Sequence, residues 1–317
     1  MISGEFLHTE EPALTAFTDP MFTDENEARK ALEAVRWPTG PVCPHCGGVE
    51  QIARVEGTKQ SHRPGLLYCN DCKGQFTVTV GTVFERSKIP LTKWWIATFM
   101  LCSSKKGVSS HQLHRTLGVT YKTAWFMTHR IREAMKVGSF SPIGGHGKTV
   151  EADETFMSKS PKTRKSGPLH AKPDRKVLSL VERGGSIRSI HLDDKAWKGV
   201  KLTVAEHLGD GTRLVTDGAN HYKFVTRNHE SVDHSKFEWA RGDVHTNTLE
   251  GFFSIFKRGM VGTYQHCESK HLHRYLAEFD FRFNNRAKLG ISDAARTVNA
   301  IKGIEGKRLT YRGPDQA

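Results

Sequence analysis

The 317-residue sequence predicts an α/β protein with a metal-stapled module ahead of its main domain, and three observations carry that prediction. Two Cys-x-x-Cys pairs lie near the N-terminus. Residues 90–137 keep a helical period throughout, and from Lys148 onward short alternating runs bounded by turns replace it, with one helix between strands. The chain is long enough for two or three domains with real cores. Its net charge of +13 is unevenly spread: residues 1–28 hold seven acids and no Lys or Arg, leaving 47 bases against 27 acids, a net of +20, for the rest. Such a body favours a polyanion through counterion release. The longest apolar run, Trp94 to Cys102, is too short to span a bilayer, so a soluble intracellular protein without a membrane partner is expected.

Residues 1–37 read as an arm followed by a helix. Asp24 is placed to cap it, Glu27 lies three positions on, Ala28, Ala31, Leu32 and Val35 form the stripe, and Arg36-Trp37-Pro38 ends it. Residues 38–88 read as a zinc ribbon. Cys43 and Cys46 pair with Cys69 and Cys72 across 22 intervening residues, each pair is followed by glycine, and four thiolates give the closed tetrahedral shell of structural Zn²⁺. Strands are expected at 51–55 and 75–80. Cys102 and Cys267 stand alone and read as buried apolar residues.

Residues 89–142 read as a helix-turn-helix region. Leu91 to Cys102 forms a mostly apolar helix, Ser109 or Ser110 opens the next, Gly118 turns the chain and Thr120 caps a third. In that geometry Tyr121, Lys122, Thr123 and Arg130 are the candidates for DNA contact. A helical bundle that only links domains is the competing reading. Gly144-Gly-His-Gly147 reads as a linker, and the basic stretch 158–176 as a loop that orders on DNA.

Residues 148–290 form the main domain. Residues 149–157 read as a strand, with Glu151 and Asp153 on one face and Ala152 and Glu154 on the other. A hairpin follows over 177–192, turned at Gly184-Gly185, then a helix over 196–208 and a strand ending at Asp217. Strand, hairpin, crossover helix and a strand ending in an acid is the layout of a ribonuclease H-like core. From Val244 the stripe Leu249, Phe252, Phe253, Phe256 marks a helix whose other face stacks Asn247, Glu250 and Lys257. Phosphoryl transfer with two divalent ions needs carboxylates from separate elements, and Asp153, Asp217 and Glu250 fit that need, with Mg²⁺ (or Mn²⁺) as the hard ion. Asn247 is the second choice for the third ligand, Lys257 is placed to contact a phosphate, and His234 and His245 read as structural. A last helix over 270–286 carries Leu272, Tyr275, Leu276, Phe279 and Phe283, with Arg274, Arg282 and Arg286 to one side. Residues 291–317 read as a C-terminal tail.

These landmarks together resemble the transposases of the IS1595 insertion-sequence family, of the ISXO2-like type. The resemblance rests on Arg36-Trp37-Pro38, the four cysteines with Gly81-Thr-Val-Phe84 after them, Val150-Glu-Ala-Asp-Glu154, Thr216-Asp-Gly218, His245-Thr-Asn-Thr-Leu-Glu-Gly251 and Tyr275 to Arg286. It implies a DDE-type, ribonuclease H-like enzyme that binds the terminal inverted repeats of its element, cleaves the ends and joins them to target DNA. It also implies a homo-oligomer on DNA and a place in the bacterial cytoplasm, at the nucleoid. Asp153 and Asp217 match the family's aspartates. The family's third position is asparagine or glutamate followed by lysine, and Glu250 keeps the seven-residue step to Lys257. The alternative from another class is a catalytically silent DNA-binding protein.

Overall fold

The computed structural model describes residues 17–55, 62–138, 141–157, 175–192, 199–265 and 267–310. The arm before residue 17 and most of the basic loop 158–176 lie outside the described residues. The helices used below are α1 (Glu25–Arg36), α2 (Leu91–Ser103), α3 (Ser110–Leu117), α4 (Tyr121–Ala134), α5 (Val200–His207), α6 (Asn247–Gly259), α7 (Ser269–Asn284) and α8 (Asp293–Lys302). The strands are β1 (Ile52–Arg54), β2 (Leu67–Cys69), β3 (Gln75–Phe76), β4 (Thr149–Met157), β5 (Arg175–Glu182), β6 (Ile187–Leu192), β7 (Arg213–Asp217) and β8 (His229–Val232). Two compact units emerge: Met1–Ser104 with Ser110–Ala134 and Arg286–Ala317, and Lys105–Ser109 with Met135–Asn285.

In the first unit Asp24 caps α1, its Oδ1 accepting the amides of Asn26 at 2.7 Å and Glu27 at 3.0 Å. Glu25 in turn accepts the amides of Leu91 (2.8 Å) and Thr92 (3.2 Å), so an acid of α1 satisfies the open N-terminus of α2. Antiparallel β1, β2 and β3 form the ribbon sheet. The strand expected over 75–80 stops at Phe76. Beyond it the chain turns, Val80 donating to Thr77, and Arg36 Nη1 takes the carbonyls of Val78 (2.6 Å) and Val80 (2.8 Å) that a strand partner would have used. Gly118, at φ +60°, makes the turn between α3 and α4, and Thr120 Oγ1 accepts the Thr123 amide at 3.2 Å. Residues 291–317, expected as a tail, contain α8, which packs on α1, α2 and α4. A Cβ on Gly303 would stand 2.3 Å from the carbonyl of Ala134, so glycine permits that close approach.

The second unit is built on a five-stranded sheet ordered β8-β7-β4-β5-β6. β4, β5 and β6 run antiparallel in sequence, while β7 lies parallel to β4 and β8 parallel to β7. Gly184, at φ +75°, turns the β5–β6 hairpin. One face buries Val150, Ala152, Leu178, Leu180 and Leu214 with Val200 and Val204 of α5. The other buries Val177 and Val181 under Leu249, Phe252, Phe253 and Phe256 of α6 and Leu272, Tyr275, Leu276 and Phe279 of α7. The apolar stripe of α6 is therefore buried as its spacing requires. Gly259 lets α6 and α7 meet, since a Cβ there would stand 2.5 Å from the Phe279 ring. The stretch expected as a linker at 144–147 is partly paired, Ile143–Gly144 running parallel to Leu208–Gly209. Arg282 is buried in an ion pair with Glu278. Among the described residues no helix is long and apolar enough to cross a membrane.

Candidate active site and zinc centre

The carboxylates converge where β7 leaves β4. The last β4–β7 pair is Ala152↔Thr216, so Asp153 and Asp217 each follow it directly on neighbouring strands. Leu214 faces α5, whereas Val215 packs with Val244 on the opposite face. Alternation then turns Asp217 to the α6 side, as it does Asp153. Ligand oxygens of Asp153, Glu154 and Asp217 all lie within 4.8 Å of one another. The period of two puts Glu154 on the α5 face, but β7 no longer flanks the strand there and its carboxylate reaches the other two. On its own side Glu154 is bonded by His221 Nε2.

Electrostatics follow from this crowding. Burial, then the neighbouring charge of Asp217, pushes the Asp153 carboxyl up to about 7; Glu154 and Glu250 add to the push, and the Glu154 amide, donating to Oδ1 at 2.7 Å, opposes it. Burial also raises Glu154, with His221 opposing. A divalent cation relieves the crowding that raises Asp153 and Glu154, and with Asp217 beside them the all-carboxylate donor set fits Mg²⁺ or Mn²⁺.

The four cysteines close on one another. Sγ atoms of Cys43 and Cys72 are 3.6 Å apart, those of Cys46 and Cys69 3.7 Å, and all four lie within 4.8 Å. A tetrahedral Zn–thiolate shell with bonds of about 2.3 Å puts sulfurs about 3.8 Å apart, so the geometry fits zinc. Burial opposes ionising Cys43, but the amides of Cys46 and His45 outweigh it and hold the thiol down to about 6. The glycines after each pair leave room around the centre: a Cβ on Gly48 would stand 2.6 Å from the Asp71 carboxylate, and one on Gly74 3.1 Å from the His45 ring and 3.2 Å from Cys72 Sγ.

Comparison with known proteins agrees with both centres. Residues 144–284 match the family described as ISXO2-like transposase domain, and residues 23–75 match the transposase zinc-ribbon domain. The chain carries an ISXO2-like transposase domain behind an IS1595 transposase zinc ribbon. It is 27% identical over 293 residues, 87% of this chain and 96% of the relative, to an "Uncharacterized protein in transposable element ISH50" of Halobacterium salinarum. That relative is archaeal, so a bacterial setting draws no support from it.

Within the ISXO2-like domain, Glu250 stands in the first turn of α6, exposed, with Thr246 Oγ1 donating to its Oε1 at 3.3 Å. Its charge reaches Asp153, but its oxygens are not in the compact trio. Asn247 is the first residue of α6, and Lys257 lies two turns past Glu250; both are exposed. The residue that fixes this helix is Glu151, fully buried on β4. Its Oε2 accepts the amides of Thr248 (3.0 Å) and Leu249 (3.1 Å), and its Oε1 accepts Thr248 Oγ1 (2.9 Å) and Arg183 Nε (2.8 Å). Arg183 Nη2 also donates to the carbonyl of His245 at 2.7 Å. Glu151 and Arg183 had no functional reading in the sequence; the one signal was the density of acids in 151–154.

The helix pair of the first unit divides the DNA-contact candidates. Tyr121, Lys122 and Thr123 open α4, with Tyr121 and Lys122 exposed and Tyr121 stacked on His111 at 4.3 Å between ring centroids. Arg130 does not belong with them. It is buried, donating to the carbonyls of Glu85 (3.2 Å) and Leu309 (3.3 Å), with its guanidinium over the Phe126 ring. Its charge serves the packing of the unit.

Proposed function

We propose that the protein is a DNA transposase that binds the terminal inverted repeats of an insertion sequence, cleaves the ends and transfers the strands to target DNA. The observation that carries this reading is the meeting of Asp153 and Asp217, with Glu154, where β7 ends beside the middle of parallel β4 inside an ISXO2-like transposase domain. The sheet order, with three antiparallel strands followed by two parallel ones, supports a ribonuclease H-like core. Asp153 and Asp217 hold Mg²⁺ or Mn²⁺, and Glu250, Asn247 or both supply the third wall. When bound, the metal supplies charge neutralisation at the scissile phosphate and activation of the attacking hydroxyl. The chain's own residues do the rest. Glu151 and Arg183 hold α6 against β4, and that fixes Glu250 relative to Asp153. Lys257 holds a phosphate as a point charge. Tyr121, Lys122 and Thr123 contact DNA from a helix-turn-helix, the four cysteines hold Zn²⁺, and two DNA ends call for a homo-oligomer located with the chromosome.

The test is an assay of cleavage and joining of terminal-repeat DNA in Mg²⁺, comparing wild type with Asp217→Ala. Loss of both products with DNA binding retained is expected. Full activity in the variant would overturn the site assignment, and products cut but never joined would make the enzyme a nuclease.

A further inference from the structure

The loop after β8 begins beside the carboxylate cluster and presents two aromatic rings to solvent. Val232, the last residue of β8, pairs with Asp217. A Cβ on Gly218 would lie 3.9 Å from the Cα of Asp233, so the loop begins against the residue that follows Asp217. It then makes a 3-10 turn, His234–Lys236, ended by Phe237 at φ 61°, ψ 20°. This left-handed conformation suits glycine or asparagine and is unfavourable for a bulky side chain. Phe237 is nevertheless there, 83% exposed, with Trp239 at 59%.

The polar side chains of the loop hold it in shape. Asp233 Oδ1 accepts the amide and the hydroxyl of Ser235 (3.0 and 2.5 Å), and Glu238 accepts the Asp233 amide at 3.2 Å. Arg241 bonds Glu238 at 3.1 Å and the Ser231 carbonyl at 3.2 Å, and Lys236 pairs with Asp233. Both acids are thereby compensated, so the loop carries no bare negative charge against a phosphate. Trp239 rests on His234, ring centroids 4.8 Å apart, and His234 Nε2 is buried without a hydrogen-bond partner among the described residues. The exposed Phe224 differs in having Lys201 over its ring.

A braced turn that spends a strained backbone position on an outward ring is a device for contact. Two rings framed by polar residues that already bond one another do not form the continuous apolar patch of a dimer interface. Flat faces of that size suit nucleotide bases; inside a duplex neighbouring pairs cover both faces of each base, whereas an unpaired base is free to lay a face on a ring. We propose that Phe237 and Trp239 form a stacking platform for unpaired bases of DNA next to the Asp153–Asp217 cluster. This rests on the DNA-processing reading above, and it adds that the end of the duplex is opened there and a displaced base is held on the rings.

The experiment compares binding of the full chain to a blunt duplex and to the same duplex with an unpaired end carrying 2-aminopurine, while light scattering follows its oligomeric state. Wild type is expected to prefer the unpaired end roughly ten-fold and to quench the probe. Phe237→Ala with Trp239→Ala is expected to lose the preference and the quenching while keeping blunt-duplex affinity, and Trp239→Phe to keep both. An unchanged preference in the double variant, an equal loss on both DNAs, or a change in oligomeric state instead would overturn the platform. Equal binding of both DNAs by wild type overturns the platform alone, whereas no DNA binding by wild type overturns the DNA-processing reading with it.

Discussion

Glu151 accepts the backbone amide of Leu249 at 3.1 Å across 98 residues of chain, tying the strand of Asp153 to the helix of Glu250. The bond has two physical components. Amides at the start of a helix lack internal partners and carry the positive end of the helix dipole, so a carboxylate satisfies both. Arg183 compensates the buried charge. Replacing Glu151 by Gln keeps the shape but leaves Arg183 facing a neutral amide. A loss of roughly 3 kcal/mol is expected from breaking a buried charge pair on one side, read by urea unfolding. Strand cleavage should fall further than DNA binding, because the misplaced element is α6. Wild-type stability in Glu151→Gln would show that the cap contributes nothing.

The raised Asp153 carboxyl predicts a pH signature. Its ordinary value is 3.8 and the folded value is about 7, so the folded state binds the extra proton between them. A group raised in this direction contributes its full stability below about pH 4 and loses it as pH climbs through 7. Asp153→Asn removes the titration. Without added divalent ion, the variant should gain on wild type between pH 5 and pH 8 by about 2 kcal/mol, part of the full shift being screened at a group that is not fully buried. Saturating Mn²⁺ should reverse the order at pH 8, since only wild type gains from binding. Parallel stability curves from pH 5 to pH 8 would mean that Asp153 is not strained.

What the sequence made legible was local. Cysteine spacing with trailing glycines defines the ribbon, Asp24 defines the start of α1, and the three-and-four spacing of Leu249, Phe252, Phe253 and Phe256 defines the buried face of α6. Non-local features escaped. Arg130 looked available to DNA because the carbonyl of Leu309 that holds it arrives 179 residues later. Glu154 does lie on the α5 side, as the period of two requires, but nothing in the sequence signals that its carboxylate still reaches Asp153 and Asp217 where β4 loses β7. Glu151 had no assigned role because no pattern in the sequence reveals that a helix end will dock on it. The left-handed Phe237 has no sequence signature at all.

The zinc ribbon yields a separable outcome. Its small sheet has few buried apolar side chains, chiefly Leu67, Phe76 and Val78, so the metal is expected to supply most of its folding energy. Cys69→Ser, or chelation, should abolish amide protection over residues 43–76 in hydrogen exchange while β4, β5 and β7, in the other unit, stay protected. Simultaneous loss of protection in both would show that the ribbon does not fold as a separate module.

The third metal ligand can be decided by separating affinity from turnover. Glu154 lies in the compact trio with Asp153 and Asp217, whereas Glu250 is exposed and acts on Asp153 only through its charge. In the DNA-free protein Glu154→Gln should therefore weaken Mn²⁺ binding more than Glu250→Gln, by roughly ten-fold, the cost of one carboxylate ligand in an all-oxygen site. Glu250 sits on the helix that Glu151 fixes, one turn past Asn247 and two before Lys257, where a bound phosphate would draw it in. Glu250→Gln should then cut the rate of strand cleavage while sparing Mn²⁺ affinity. Asn247→Ala distinguishes the remaining choice: a rate loss as deep as that of Glu250→Gln would make the asparagine a ligand as well. A wild-type rate in Glu250→Gln together with a dead Asn247→Ala would move the third wall of the site from the glutamate to the asparagine.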